Sequence, residues 1–171
     1  MRVFIAISVP EEIKDKIRGA QRRFYKKGMS ASREFHITLR FFGEVNQIQV
    51  NNIIEKLKYI NFKKFEILVD GVGFFGSGSR IRVIFLNVYS KELLDFISTV
   101  NKNIPDINPQ HIKDMPHITL FRVKGKDIRK EDFVFDFKEE FLVKEFYLIE
   151  SIPTKEGHIY RTLERFHLGG Q

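Results

Sequence analysis

The chain alternates short apolar runs with amphipathic stretches. Residues 2–9 are apolar and β-branched, which predicts a strand. From Glu11 the period lengthens: Ile13, Ile17, Ala20 and Phe24 recur at helical spacing, predicting a helix over 11–27. Pro10 suits its entry, and Glu11 and Glu12 suit its positive end. Gly28 to Arg33 reads as a polar connection into a second strand that Gly43 ends. Val50, Ile53, Ile54 and Leu57 stripe a helix over 47–60, and Phe65–Asp70 predicts another strand. Residues 71–80, rich in glycine, read as a turn before a strand over Arg80–Tyr89 and a helix over Lys91–Asn103. A proline-bearing loop over 104–116 delivers a strand that starts at His117, and the charged stretch 124–132 is expected at the surface. Beyond it, residues 133–137 predict an edge strand. Phe141–Ile149 and Gly157–Gly169 predict a hairpin, with its turn at 152–157.

This pattern occurs twice. Val3–Ile17 matches Val83–Ile97: Val3 falls on Val83, Glu12 on Glu92, Asp15 on Asp95 and Ile17 on Ile97. The tetrapeptide His-Ile-Thr-Leu likewise occurs at 36–39 and at 117–120, in phase with that match to within one inserted residue. An internal duplication of strands and helices implies an α+β fold, residues 1–171 forming one domain of two pseudo-symmetric lobes. Antiparallel sheets should line a central cleft, with helices on the outer faces.

The repeated tetrapeptide carries the candidate chemistry. In a strand, residues i and i+2 share a face, so His36 lies beside Thr38 and His117 beside Thr119. A lone strand histidine is ordinarily a half-buried packing residue. Two copies in register across a cleft instead offer two imidazoles that give or take a proton near neutrality, with two hydroxyls to hold a neighbouring oxygen. That set suits in-line cleavage of a phosphodiester: one imidazole takes a proton from water and the other gives one to the departing oxygen. By parity Arg40 shares the face of His36, where its charge would meet a phosphate, whereas Arg122 falls on the face opposite His117.

Composition narrows the alternatives. Cysteine is absent, which removes disulfides, thiolate metal sites and a cysteine nucleophile. His111, His158 and His167 add to the histidine count, but their spacings fit no zinc pattern, so no metal and no cofactor are expected. His158 and His167 fall on opposite faces of the last strand by parity. The glycines of 71–78 lack the Lys-Ser/Thr ending of a phosphate loop. The opening apolar run is only seven residues before acids begin, and no stretch reaches membrane-span length, so a cytoplasmic location is expected. Net charge is +7, and residues 1–43 hold ten Lys or Arg against four Asp or Glu. That concentration, notably Arg18, Arg22, Arg23, Lys26 and Lys27, favours a polyanionic partner or else a merely solvated helix face.

His36-ITLRFFG and Pro116-HITLFR together resemble the two-histidine phosphoesterase superfamily, specifically the RNA 2′,3′-cyclic phosphodiesterases also called 2′-5′ RNA ligases. Phe42 stands where that family usually has leucine. Arg2-VFIAI, Gly73-FFGSGSRIRVIF and Tyr160-RTLERFHL are similar to family segments as well, so the resemblance runs the length of the chain. It implies hydrolysis of RNA 2′,3′-cyclic phosphate ends to 2′-phosphates without metal, and a reverse 2′-5′ ligation. It implies His36 as the acid on the leaving 3′ oxygen, His117 as the base on water, and Thr38, Thr119 and Arg122 on the phosphate. RNA is the implied partner, with no membrane, no obligate protein partner and a monomeric state. The contrasting expectation is a non-catalytic module that binds RNA ends on the same scaffold.

Overall fold

In the computed structural model, residues 1–108 and 115–169 are described. Their elements run β1 (Arg2–Ser8), α1 (Glu11–Phe24), β2 (Met29–Ala31), β3 (His36–Glu44), α2 (Gln47–Lys58), β4 (Phe65–Ser77) and β5 (Arg80–Tyr89). The order continues with α3 (Leu93–Asn103), β6 (His117–Val123), a 3-10 turn at Lys130–Phe133, β7 (Lys138–Val143), β8 (Glu145–Thr154) and β9 (Gly157–His167). The strands form two antiparallel sheets, ordered β3-β1-β8-β9 and β2-β6-β5-β4-β7. Apart from β2, the second order repeats the first: β6-β5-β4-β7 stands for β3-β1-β8-β9. Each sheet thus carries its His-x-Thr strand at or next to an edge, and β3 and β6 meet where the sheets adjoin.

The pleat decides which face is dry. Val3, Ile5 and Ile7 of β1 are all buried and join one apolar cluster with Ile37, Ile84, Leu86, Ile118 and Leu120 from the other sheet and strands. Helices close that core. α1 buries Ile13, Ile17 and Gln21 and packs on β6, while α3 buries Leu93, Phe96 and Val100 and packs on β3. Each lobe's helix therefore covers the other lobe's His-x-Thr strand. α2 buries Val50, Ile53 and Leu57 against α3 and β9. Its start is fixed by a capping box in which Asn46 Oδ1 accepts from Gln49 N at 2.8 Å and Asn46 N donates to Gln49 Oε1 at 2.9 Å.

Several sequence expectations give way here. The glycine-rich stretch is not a turn: β4 runs on to Ser77 and the chain reverses only at 78–79. Two of its glycines, Gly73 and Gly76, are spacing devices. A Cβ on Gly76 would lie 1.9 Å from the Arg80 carbonyl oxygen, and one on Gly73 would lie 2.4 Å from the Phe85 ring. Residues 133–137 form no strand; Phe133 and Phe137 instead plug the core, and the edge is β7. The run expected as one strand over 141–149 breaks at Lys144 into β7 and β8, which belong to different sheets. The polar connection after α1 contains β2, which pairs with β6 from Met29↔Val123 to Ala31↔Phe121. The match of β1 to β5 is also one residue off. Ser8 lies opposite His36 and Asn87 opposite His117, so Ser8 corresponds to Asn87 rather than Val88.

Candidate active site

A bulge follows the threonine in both His-x-Thr strands. On β3, Ala6 pairs with Thr38 but Ile5 pairs with Arg40, so Leu39 is extra. On β6, Phe85 pairs with Thr119 but Ile84 pairs with Phe121, so Leu120 is extra. An extra residue reverses the in–out alternation beyond it. Past the bulge the third residue after threonine, not the second, returns to the face of the histidine. On β6 that residue is Arg122, which stands exposed on the side of His117 and Thr119. On β3 it is Phe41.

The same bulge turns Arg40 inward, against the parity expectation. Arg40 is 2% exposed and lies over the Phe42 ring, its charge 4.6 Å from the centroid. Its Nη1 donates to the carbonyl of Ile104 and more weakly to that of Asn101, and its Nη2 donates to the carbonyl of Ile107 at 2.6 Å. These are carbonyls at and beyond the C-terminal end of α3, where a cation is electrostatically favoured. Arg40 is thus a buried clamp between β3 and α3, turned away from the cleft, and burial pushes its pKa down.

The cleft itself is lined by His36, Thr38, His117, Thr119 and Arg122, and encloses about 710 Å³. His36 is half-buried between aromatic rings, Phe4 at 4.9 Å and the edge of Tyr160 at 5.2 Å. Burial, with the positive charges of Lys14, His117 and Arg122 behind it in order, pushes its pKa from 6.5 to about 4. With no anion in the cleft, His36 is a neutral imidazole at pH 7. His117 rests against Phe75 at 5.0 Å and Phe85 at 5.1 Å, the ring for which Gly73 leaves room. Its Nδ1 lies 2.9 Å from the Met115 carbonyl oxygen. A carbonyl only accepts, so that bond places the proton on Nδ1 and leaves Nε2 as the nitrogen able to accept one.

The bulge that orients Arg122 is itself tied down. The Leu120 carbonyl accepts from Ser32 N at 2.9 Å and from Gln21 Nε2 at 3.0 Å, and Gln21 Nε2 also donates to the Ser32 carbonyl at 2.9 Å. Gln21 is buried on the core side of α1, a polar residue on an otherwise apolar stripe. That exception to the helical pattern was the one sequence signal of its role.

Other cleft residues carried no such signal: Arg33, Lys124, Lys155, His158 and Tyr160 also line it. His158 and His167 share a face after all, because β9 carries a bulge of its own at Leu163, between the pairs Leu148↔Glu164 and Ile149↔Thr162. His167 faces Glu145 at 3.6 Å, far along the sheet from the cleft's lining. His111 lies outside the described residues. Among the described residues, no three His, Asp or Glu side chains converge as a metal site requires, and no helix is long and apolar enough to cross a membrane.

Comparison with known proteins places this geometry among relatives. The family described as LigT-like phosphoesterase matches residues 7–85. A protein of Archaeoglobus fulgidus named RNA 2′,3′-cyclic phosphodiesterase is 31% identical over 97% of this chain and 99% of its own length. A Thermotoga maritima protein of the same name is 32% identical over 95% of this chain and 93% of its own. Among solved structures, TT0787 of Thermus thermophilus superposes with a TM-score of 0.90 at 25% identity, covering both chains in full. LigT of E. coli, solved in complex with 3′-AMP, shares the fold at a TM-score of 0.82 and 23% identity, over 98% of this chain and 97% of that one.

Proposed function

Because the chain belongs to the LigT-like phosphoesterase family, we propose that it hydrolyses RNA 2′,3′-cyclic phosphate ends to 2′-phosphates by metal-independent acid–base catalysis. The observation that carries this reading is the meeting of two His-Thr pairs and Arg122 in one cleft. The relatives' shared name supplies the substrate class.

The steps follow from the groups present. The cyclic phosphate lies between the histidines, its non-bridging oxygens accepting from the Thr38 and Thr119 hydroxyls and from the Arg122 guanidinium. Arg122 offsets the charge that develops on those oxygens. His117 Nε2 takes a proton from water as the new P–O bond forms. The bond from phosphorus to O3′ breaks on the opposite side, and His36 delivers a proton to O3′. The products are a 3′ hydroxyl and a 2′-phosphate, and the two histidines exchange their protons with solvent before the next turnover. A 5′ hydroxyl in place of water would form a 2′-5′ linkage by the same proton transfers. For His36 to act as the acid, the substrate's negative charge must restore the proton that the free cleft disfavours.

The test is turnover of adenosine 2′,3′-cyclic phosphate in EDTA, with the product isomer identified by phosphorus NMR. Formation of adenosine 2′-phosphate, abolished in both His36→Ala and His117→Ala, is the expected result. Loss of activity in EDTA, restored by zinc or manganese, would overturn the metal-free mechanism. Tight binding of cyclic-phosphate ends with no turnover would favour a non-catalytic RNA-end module instead.

A further inference from the structure

The cationic surface beside the cleft has no part in the chemistry above. Residues 22–33 hold five Lys or Arg and no Asp or Glu, and residues 122–130 hold five against one. The fold presses these two runs together. The Gly28 carbonyl accepts from Lys124 N at 2.8 Å and from Gly125 N at 2.9 Å. Two glycines permit that approach: Gly28 has a φ of +93°, and a Cβ on it would lie 3.0 Å from the Gly125 Cα. Arg80, at the start of β5, reaches the same place and donates from Nη2 to the Lys124 carbonyl at 3.5 Å. Of the cations in the two runs, only Lys26 forms an ion pair among the described residues, with Asp132 at 2.9 Å. Crowding like charges is unfavourable unless a counter-charge joins them.

We propose that Lys124, Lys126 and Lys27 form a track for the backbone phosphates on the 5′ side of the terminal nucleotide, so that an RNA chain leaves the cleft across the Gly28–Gly125 seam. This rests on the reading of the cleft as a cyclic-phosphate site. Arg122 and Lys124 are both exposed and both line the cleft. They are two residues apart on extended chain, which sets them on one face about 7 Å from each other. That is close to the step between successive phosphates of an extended RNA strand. With the cyclic phosphate at Arg122, the 5′ phosphate of the same nucleotide falls to Lys124. Lys126 and Lys27 then continue the line outward, one from each side of the seam. The β9 side has no comparable excess. There Arg161 pairs with Glu150 at 2.6 Å, Arg165 pairs with Glu145 at 3.6 Å, and Lys155 is followed by Glu156. Contacts to phosphates carry no sequence information, so the track is tolerant of base identity.

The experiment follows binding of single-stranded pentaadenylate ending in a 2′-phosphate, by fluorescence anisotropy, over a series of salt concentrations. Each single-strand phosphate contact contributes roughly 0.7 to the slope of log affinity against log salt. The triple variant Lys27→Ala, Lys124→Ala, Lys126→Ala should therefore flatten the slope by about 2. The triple variant Lys63→Ala, Lys91→Ala, Lys102→Ala removes the same charge from exposed positions outside the cleft's lining, and its slope should match that of wild type. A slope that the first variant leaves unmoved would overturn the track. So would equal flattening by both variants, since net charge rather than position would then attract the RNA. The place of Lys124 is read with one altered linkage. Replacing the linkage nearest the 2′-phosphate by an uncharged methylphosphonate should weaken wild-type binding by about two- to fivefold and add little to the loss in Lys124→Ala. Equal weakening in both proteins would overturn the assignment of that phosphate to Lys124. Failure of the functional reading shows separately, as no turnover of cyclic-phosphate ends by wild type, and the salt slopes decide the track in either case.

Discussion

The depressed pKa of His36 makes a quantitative prediction in two parts. In the unfolded chain this imidazole titrates near 6.5, and in the folded protein near 4. Below pH 6.5 the unfolded chain therefore binds a proton that the folded chain refuses, and stability falls as pH drops from above 6.5 to about 4. At about 1.36 kcal/mol per unit, the loss from this group is on the order of 3 kcal/mol. Urea unfolding of wild type and His36→Asn between about pH 8 and pH 4 isolates it, because the variant lacks the titrating group. The difference in unfolding free energy should move by about 3 kcal/mol against wild type over that range.

The second part concerns an anion in the cleft. A unit negative charge about 4 Å from the imidazolium, at an effective dielectric constant of about 20, is worth about 4 kcal/mol. That equals about 3 pKa units, enough to lift His36 from about 4 to near neutrality, where a general acid works best. Sulfate is a suitable probe because it does not titrate in this range. The His36 Cε1 proton, followed by NMR, should show a midpoint near 4 in the free protein and one about 2 to 3 units higher with saturating sulfate. A free-protein midpoint near 6.5 would refute the burial argument. A midpoint of about 4 that sulfate leaves unmoved would refute the recharging of His36 by an anion, and with it His36 as the acid.

Three further outcomes follow from named contacts. With sulfur replacing the 3′ bridging oxygen, the leaving group departs as a thiolate, so His36→Ala should regain most of the ~10²–10⁴-fold that a general acid supplies while His117→Ala stays impaired; selective recovery by His117→Ala would reverse the two roles. Arg40→Met strips donors from the buried carbonyls of Asn101, Ile104 and Ile107 and should cost about 3 kcal/mol or more in urea unfolding, with kcat kept where the variant is folded; lost kcat with intact stability would put Arg40 back at the substrate. Gln21→Leu leaves the Leu120 carbonyl with one donor fewer and should destabilise by about 1–3 kcal/mol. It should also slow turnover through the loosened bulge under Arg122, and an unaltered kcat would show that Ser32 alone holds the bulge.

How far the sequence spoke follows from which features are local. The duplicated strand–helix pattern and the twin tetrapeptides are local signals, and they led to the α+β class, to both sheets and to the His-Thr pairs on one cleft. Features that depend on distant pairing were illegible. β2 has three residues and no alternation, and it exists because β6 offers it an edge. The stretch 71–77 is strand because Gly73 and Gly76 let a partner strand approach, although glycine alone signals a turn. Parity failed for Arg40, Arg122 and the pair His158 and His167, each time at a bulge, and a bulge is a property of two strands together.

Those bulges also explain how a duplicated scaffold supports two unlike histidines. Duplication gave β3 and β6 the same His-x-Thr face, the same extra residue and the same return position beyond it. One strand fills that position with Phe41, which stacks toward Phe4, and the other fills it with Arg122. Opposite the histidines, Ser8 stands in one lobe and Asn87 in the other. The neighbours therefore differ although the backbones match. The charge of Arg122 contributes to keeping His36 neutral, although it sits on the strand of His117. An arginine at position 41 as well would put a second guanidinium beside His36 and depress its pKa further. His36, the proposed acid, would then be harder to charge even with substrate bound. Phe41→Arg should accordingly lower turnover of the oxygen substrate more than that of the bridging-sulfur substrate, whose leaving group needs no proton. Equal losses on both would mean that position 41 affects phosphate binding, not the protonation of His36.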